Sequence, residues 1–342
     1  MYDKELEATV AALVAPGKGI LAADESMSTM NKRLAAIGVP QTEEMRRAYR
    51  EMLFSTPGLG AFIGGAILFE EQLKQAAKDG MSLPKLLEKQ GIMPGIKVDK
   101  GPVALPGHPD ETYTQGLDGL GARLEDYKQL GARFAKWRGV INIDKARGIP
   151  SDHALRVNAQ GLAAYAAICQ EHGVVPIVEP EVLMDGAHSI DTCAEATERT
   201  LHAVFHALNQ NGVVLEHMVL KPNMVVPGAK CKVQASPRKV AAATIQVLRR
   251  TVPAAVPGIF FLSGGQGDEM AAANLNAINS WPEKQPWALS SSFGRALVAA
   301  ALKAWGGKAK NFNVGQKTLY KRARLASLAR QGKYSDALER AA

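Results

Sequence analysis

The chain is short of three things: it has 3 cysteines in 342 residues, only 6% aromatic residues, and no apolar run near the ~20 residues of a membrane-spanning helix. Cys169, Cys193 and Cys231 are odd in number, widely spaced and in no C-x-x-C arrangement. That points away from a disulfide framework and from a cysteine-built metal site, and it fits a reducing compartment. Solenoid repeats and low-complexity segments are also missing. The first residues, MYDKELEATVAALVAPGKG, carry acids inside an amphipathic helical pattern rather than a basic signal-peptide head, so the expectation is a soluble, cytoplasmic protein.

What is present is a globular composition, 46% hydrophobic and 22% charged, with a formal net charge of +8. A positive balance favours an anionic partner, either nucleic acid or a phosphorylated small molecule. The densest basic stretch, LYKRARLASLARQGK from Leu319, has helical spacing and reads as a solvated helix face, so nucleic acid is not expected as the primary partner.

Eight short apolar runs recur along the chain: GILAADES from Gly19, FIGGAILF from Phe62, GIKVDKG from Gly95, KWRGVINID from Lys136, VVPIVEPEV from Val174, HMVLKPN from His217, GIFFLSGG from Gly258 and PWALSSSFGR from Pro286. Their length, their bounding Gly and Pro, and their Val, Ile and Phe content read as buried strands. Between many of them lie helical patterns. One opens on Ser151 and stops at Gly173; another has Ser236 as N-cap and Pro237 at the first helical position. Strand alternating with helix implies parallel pairing. The fold expected is a single α/β domain over residues 1–342, a (β/α)8 barrel with an extra N-terminal helix and a helical tail after about Leu297; an open doubly wound sheet is the alternative.

In such a barrel the site lies where the strands end, and these ends are unusually charged. Asp24, Glu25, Lys97, Asp99, Glu179, Glu181 and Lys221 fall at or near them, while Lys136 and Arg138 stand at the entry to the fourth run. Any one could be an internal ion pair, but three lysines and several carboxylates converging on one rim favour chemistry. Lysine normally titrates near ~10.4, and burial or neighbouring cations lower that value and free a nucleophilic amine for Schiff-base formation. Lys221, between Leu220 and Pro222, has the burial required, with Lys136 and Lys97 as positive neighbours. Asp24, Glu179 and Glu181 would move protons, and no metal or cofactor is needed. LSGGQGDE and SSSFGRALVAA follow the seventh and eighth runs and lead into helices. Barrels often bind phosphate there, which singles out Ser263, Gly264, Gly265, Gly294 and Arg295.

The motifs GKGILAADES, GIKVDKG, TQGLDGL, FAKWR, VPIVEPE, LKPNM, FLSGGQ and KAWGG, in this order from Gly17 toward Tyr334, closely resemble class I fructose-1,6-bisphosphate aldolase. The resemblance implies a barrel, usually a homotetramer, that splits fructose 1,6-bisphosphate into dihydroxyacetone phosphate and glyceraldehyde 3-phosphate through a Schiff base. It places the Schiff-base lysine on Lys221, the dehydrating acid/base on Glu179 with Glu181 beside it, and the cleavage base on Asp24. Lys136 assists carbinolamine chemistry, and Lys97 holds substrate hydroxyls or phosphate. The ketose-phosphate site falls on Ser263, Gly264, Gly265, Gly294 and Arg295. The other end of the substrate would meet Ser26, Thr29, Arg33, Arg138 and Arg46.

Two departures stand out. ESMSTM, from Glu25, has Met27 and Ser28 where the family usually reads Thr and Gly, which bears on the choice between bisphosphate and monophosphate substrates. The family's eukaryotic members end in a tyrosine that helps exchange a proton; the last tyrosine here is Tyr334. Competing readings are a metal-dependent aldolase using His202 and His206, another Schiff-base barrel such as a transaldolase or a deoxyribose-phosphate aldolase, and a basic scaffold for actin or RNA. His202 and His206 lie on the polar flank of an apolar helix face, with no third ligand apparent.

Overall fold

A computed structural model describes residues 2–340. Its strands, in chain order, are β1 Gly19–Ala22, β2 Ile63–Leu68, β3 Met93–Lys97, β4 Pro102–Ala104, β5 Thr112–Thr114, β6 Phe134–Ile141, β7 Val175–Val182, β8 Val219–Leu220, β9 Gly258–Phe261 and β10 Ala288–Phe293. All but β4 and β5 pair in parallel in the order β1, β2, β3, β6, β7, β8, β9, β10. Parallel pairing of Ile20 with Ser292 and of Leu21 with Phe293 then joins β10 back to β1. That closure makes the molecule a (β/α)8 barrel and removes the open-sheet alternative. The pair β4 and β5 forms an antiparallel ribbon after β3, which the apolar pattern did not reveal because each strand is only three residues long and mostly unburied.

The barrel interior is built by the two-residue period of a strand. On β7, Val175 and Ile177 face inward at the bottom, and the same face continues upward as Glu179 and Glu181. On β6, Phe134 faces inward and is followed on its face by Lys136 and Arg138. Each inward face therefore changes from apolar to charged along the strand, which is how a packed barrel carries a polar rim. Gly95 on β3 is required by this packing, because a Cβ there would collide with the Phe134 ring.

The N-terminal helix Asp3–Val14 closes the bottom. Leu6, Val10 and Leu13 join Ile20, Phe134, Ile177, Val219 and Phe260 in one buried cluster. Each such side chain removed from water contributes roughly 1.5–3 kcal/mol. The helices Asp152–Glu171 and Pro237–Thr251 start as expected, with Ser151 Oγ accepting from Ala154 N and Ser236 Oγ from Lys239 N. The helical tail expected after about Leu297 is present. Arg295–Trp305 is the barrel's last outer helix, Phe312–Arg330 packs on it and on Glu43–Phe54, and a short helix, Asp336–Arg340, follows. No helix among the described residues is long and apolar enough to cross a membrane.

Candidate active site

The charged strand ends converge on a cavity of about 1060 Å³ at the C-terminal rim. Lys221 follows β8 directly. Its backbone N–H donates to Val178 O at 2.8 Å, so the parallel ladder continues through it, while Pro222 O accepts from Leu262 N at 3.1 Å. Asn223 anchors the turn from beneath: its Oδ1 accepts from Val182 N at 3.0 Å and its Nδ2 donates to Thr197 Oγ1 at 3.1 Å. The LKPN segment is thus fixed on both sides, and Lys221 Nζ is aimed inward with the residue only 3% exposed.

Lys221 Nζ lies 3.1 Å from Glu179 Oε1. The other carboxylate oxygen of Glu179 is 3.2 Å from Lys136 Nζ, which lies 2.7 Å from Asp24 Oδ2. Two lysines and two carboxylates therefore alternate in an unbroken chain inside the barrel. Burial alone would push the Asp24 carboxyl up, but Lys136, then Lys221 and Lys97, outweigh it and hold Asp24 well below the usual carboxylate range. Burial would likewise lower Lys136; Asp24, Glu179 and Asp99 outweigh it and hold Lys136 above the usual lysine range. For Glu179, Lys136, Lys221 and Arg138 overcome burial, so its carboxyl is also depressed. Glu181 is buried beside this chain and pairs with Arg138.

The residues expected to bind phosphate follow β9 and β10. Ser263, Gly264, Gly294 and Arg295 line it, with Gly264 at φ +59° after β9 and Arg295 opening the helix Arg295–Trp305. Gly265, at φ +106°, does not line the cavity; it lies behind, where a Cβ would come 3.3 Å from Arg295 Nη2. At the mouth, Ser26, Ser28, Thr29 and Arg33 line the wall, and Ser26 caps the helix Met27–Ala35 by accepting from Thr29 N at 3.4 Å. Lys97 and Arg138 complete the lining between mouth and floor.

Arg46 requires a correction. Expected at the substrate, it is instead engaged by Glu71 at 2.5 Å and by Asn31 Oδ1 at 3.0 Å, 7% exposed and away from the cavity. A residue without a predicted role stands closer. Arg50, fully buried on the same helix, pairs with Glu25, and Glu25 also pairs with Arg33. An arginine falling on the buried stripe of Tyr49 and Leu53 is the signal that marks it. Ser292 is a second such residue: it lines the cavity, and its buried hydroxyl has no partner.

Other expectations fall elsewhere. His202 and His206 are both exposed on the helix Ile190–Gln210. Among the described residues no group of three or more His, Cys, Asp or Glu is placed to hold a metal ion. Tyr334 is buried outside the cavity, its hydroxyl donating to Glu339 Oε1 at 2.9 Å.

A closed parallel barrel whose rim gathers buried lysines, carboxylates and glycine loops around one cavity defines a barrel enzyme. The comparison with known proteins narrows this. The family model for fructose-bisphosphate aldolase class-I matches residues 5–342, and the chain belongs to that family. A probable fructose-bisphosphate aldolase class 1 of Xanthomonas campestris is 53% identical over 98% of this chain and 99% of its own length. Fructose-bisphosphate aldolase 6, cytosolic, of Arabidopsis thaliana is 53% identical over 97% of this chain and 92% of its own length. Among solved structures, fructose-bisphosphate aldolase of Plasmodium falciparum, in a ternary complex with TRAP and a small-molecule inhibitor, superimposes with a TM-score of 0.96. It is 52% identical and covers 97% of this chain and 95% of that one.

Proposed function

We propose that this protein reversibly cleaves fructose 1,6-bisphosphate to dihydroxyacetone phosphate and glyceraldehyde 3-phosphate, with Lys221 as the Schiff-base nucleophile. The observation that carries the reading is the buried chain Lys221, Glu179, Lys136, Asp24, with successive separations of 3.1, 3.2 and 2.7 Å. Lys136 is fixed as the ammonium between two carboxylates, so the role of free amine falls to Lys221, which meets one. Lys221 Nζ adds to the C2 carbonyl of the open-chain sugar, and Glu179 carries protons as the carbinolamine loses water to give an iminium. Asp24, an ionised acceptor at neutral pH, takes the C4 hydroxyl proton; the C3–C4 bond breaks, the aldehyde leaves, and the electron pair enters the iminium as an enamine. Protonation at C3 and addition of water then release dihydroxyacetone phosphate and restore the lysine.

The loops after β9 and β10, with Arg295, receive one phosphate, and Ser26, Thr29 and Arg33 receive the other. Lys97 and Arg138 hold the chain between them. The same reading makes the protein a cytoplasmic homotetramer in glycolysis and gluconeogenesis, its whole length one domain; kinship with the cytosolic plant relative supports the compartment. Release of triose phosphate from fructose 1,6-bisphosphate in excess EDTA tests the activity. Cleavage is expected to persist in chelator, and its loss there, or no cleavage at all, overturns the reading.

A further inference from the structure

Asp99 touches three parts of the site while having no part in the chemistry above. Its side chain is almost fully buried, two residues beyond the end of β3. Oδ1 accepts from Lys97 Nζ at 2.6 Å and from Gly101 N at 3.1 Å, and Oδ2 accepts from Arg138 N on the neighbouring strand at 3.3 Å. Its backbone carbonyl accepts from Lys97 Nζ a second time, at 2.8 Å. A lysine ammonium has three N–H donors and free rotation about a flexible stem. Asp99 commits two of the three, which stops the rotation and leaves one donor for the cavity that Lys97 lines.

We infer that Asp99 is a positioning residue that turns Lys97 from a mobile surface-type cation into a single directed donor toward the middle of the substrate. The same carboxylate ties the end of β3, which delivers Lys97, to the middle of β6 at Arg138, so the donor is aimed relative to β6 rather than only to its own loop. Gly101, at φ +92°, makes the turn that brings its N–H back to Oδ1. The neighbouring ribbon reinforces the arrangement: Lys100 N donates to Gln115 O at 2.8 Å, and Thr114 Oγ1 to Arg138 O at 2.7 Å. Asp99 acts through Lys97 and need not touch the ligand.

This inference rests on the proposed substrate, so its test uses binding as well as turnover. Binding of the non-cleavable 1,6-bisphosphohexitol is measured by calorimetry for wild type, Asp99→Asn, Lys97→Met and the double variant, with KM and kcat for fructose 1,6-bisphosphate alongside. Asp99→Asn is expected to weaken binding and raise KM by about 10-fold with kcat changed less than about 3-fold, and to weaken binding less than about 2-fold once Lys97 is Met. Equal factors in both backgrounds, or a fall in kcat at constant KM, would assign Asp99 a purely structural role and overturn the inference. If Asp99→Asn does not fold by thermal unfolding, Asp99→Ser, which keeps an acceptor near the backbone N–H groups but is too short for Lys97, enters the same cycle. A wild type that binds the hexitol bisphosphate without cleaving the sugar would refute the proposed activity while leaving the binding cycle able to judge Asp99.

Discussion

The two ends of the cavity are held in opposite ways. At the inner end Lys221, Lys136 and Glu179 are each buried, and every charge is matched by an opposite one within 3.2 Å. At the mouth Ser28 and Thr29 are exposed, their neighbour Ser26 is half-buried, and Ser26 Oγ has Ser28 Oγ and Thr29 Oγ1 each at 3.1 Å. Charges taken out of water are retained only when paired, so the inner end is overdetermined and a single substitution there strands a partner. Ser26, Ser28 and Thr29 are interchangeable small donors at a helix terminus, where one loss is absorbed by water. The proposed function gives chemistry to the first arrangement and substrate preference to the second.

That contrast orders the expected effects of substitution. Lys221→Met removes the proposed nucleophile and is expected to lower kcat by about 10⁴-fold or more, measured as triose phosphate release. Glu179→Gln keeps the shape but neither balances the Lys136 ammonium nor carries a proton, and a fall in kcat of about 10²–10³-fold is expected. Arg33→Ala, at the mouth, is expected to cost about 10-fold in kcat/KM for fructose 1,6-bisphosphate and little for fructose 1-phosphate, which lacks the phosphate at that end. The smallest effect belongs to Ser28→Gly, with less than about 3-fold change in the ratio of the two substrates. A large effect of Ser28→Gly, or an Arg33→Ala loss shared equally by both substrates, would break the division between the ends.

The inner end also has a signature in acid. Asp24 has a folded-state pKa below its unfolded value, so it contributes stability that is complete above the unfolded carboxylate value of about 4 and is lost as the pH falls through its depressed folded value. Unfolding of wild type and Asp24→Asn by urea at a series of pH values should show a gap that is constant near neutrality and narrows below about pH 4. A gap that widens in acid would reverse the assigned charge state.

Much of this was legible in the sequence because a barrel strand is a short apolar run ending in charge. All eight expected strands are present, and Lys221, Glu179 and Asp24 emerge from run ends alone. Lys136 did not, because its strand begins at Phe134: the two residues before it belong to the apolar bottom of β6, and the apparent start of the run is mid-strand. Arg46 and Arg50 lie on one helix at i and i+4, and sequence spacing does not say which one meets Glu25 and which meets Glu71. The role inferred for Asp99 depends on a return of the chain at Gly101 and on a strand nearly 40 residues away, neither of which has a local signal.

Covalent trapping tests the central claim most directly. Treatment with dihydroxyacetone phosphate and sodium borohydride should reduce the iminium and leave one ligand per chain on the peptide containing Lys221, located by mass spectrometry. No adduct, or an adduct on Lys136 instead, would contradict the assignment of Lys221 as the nucleophile.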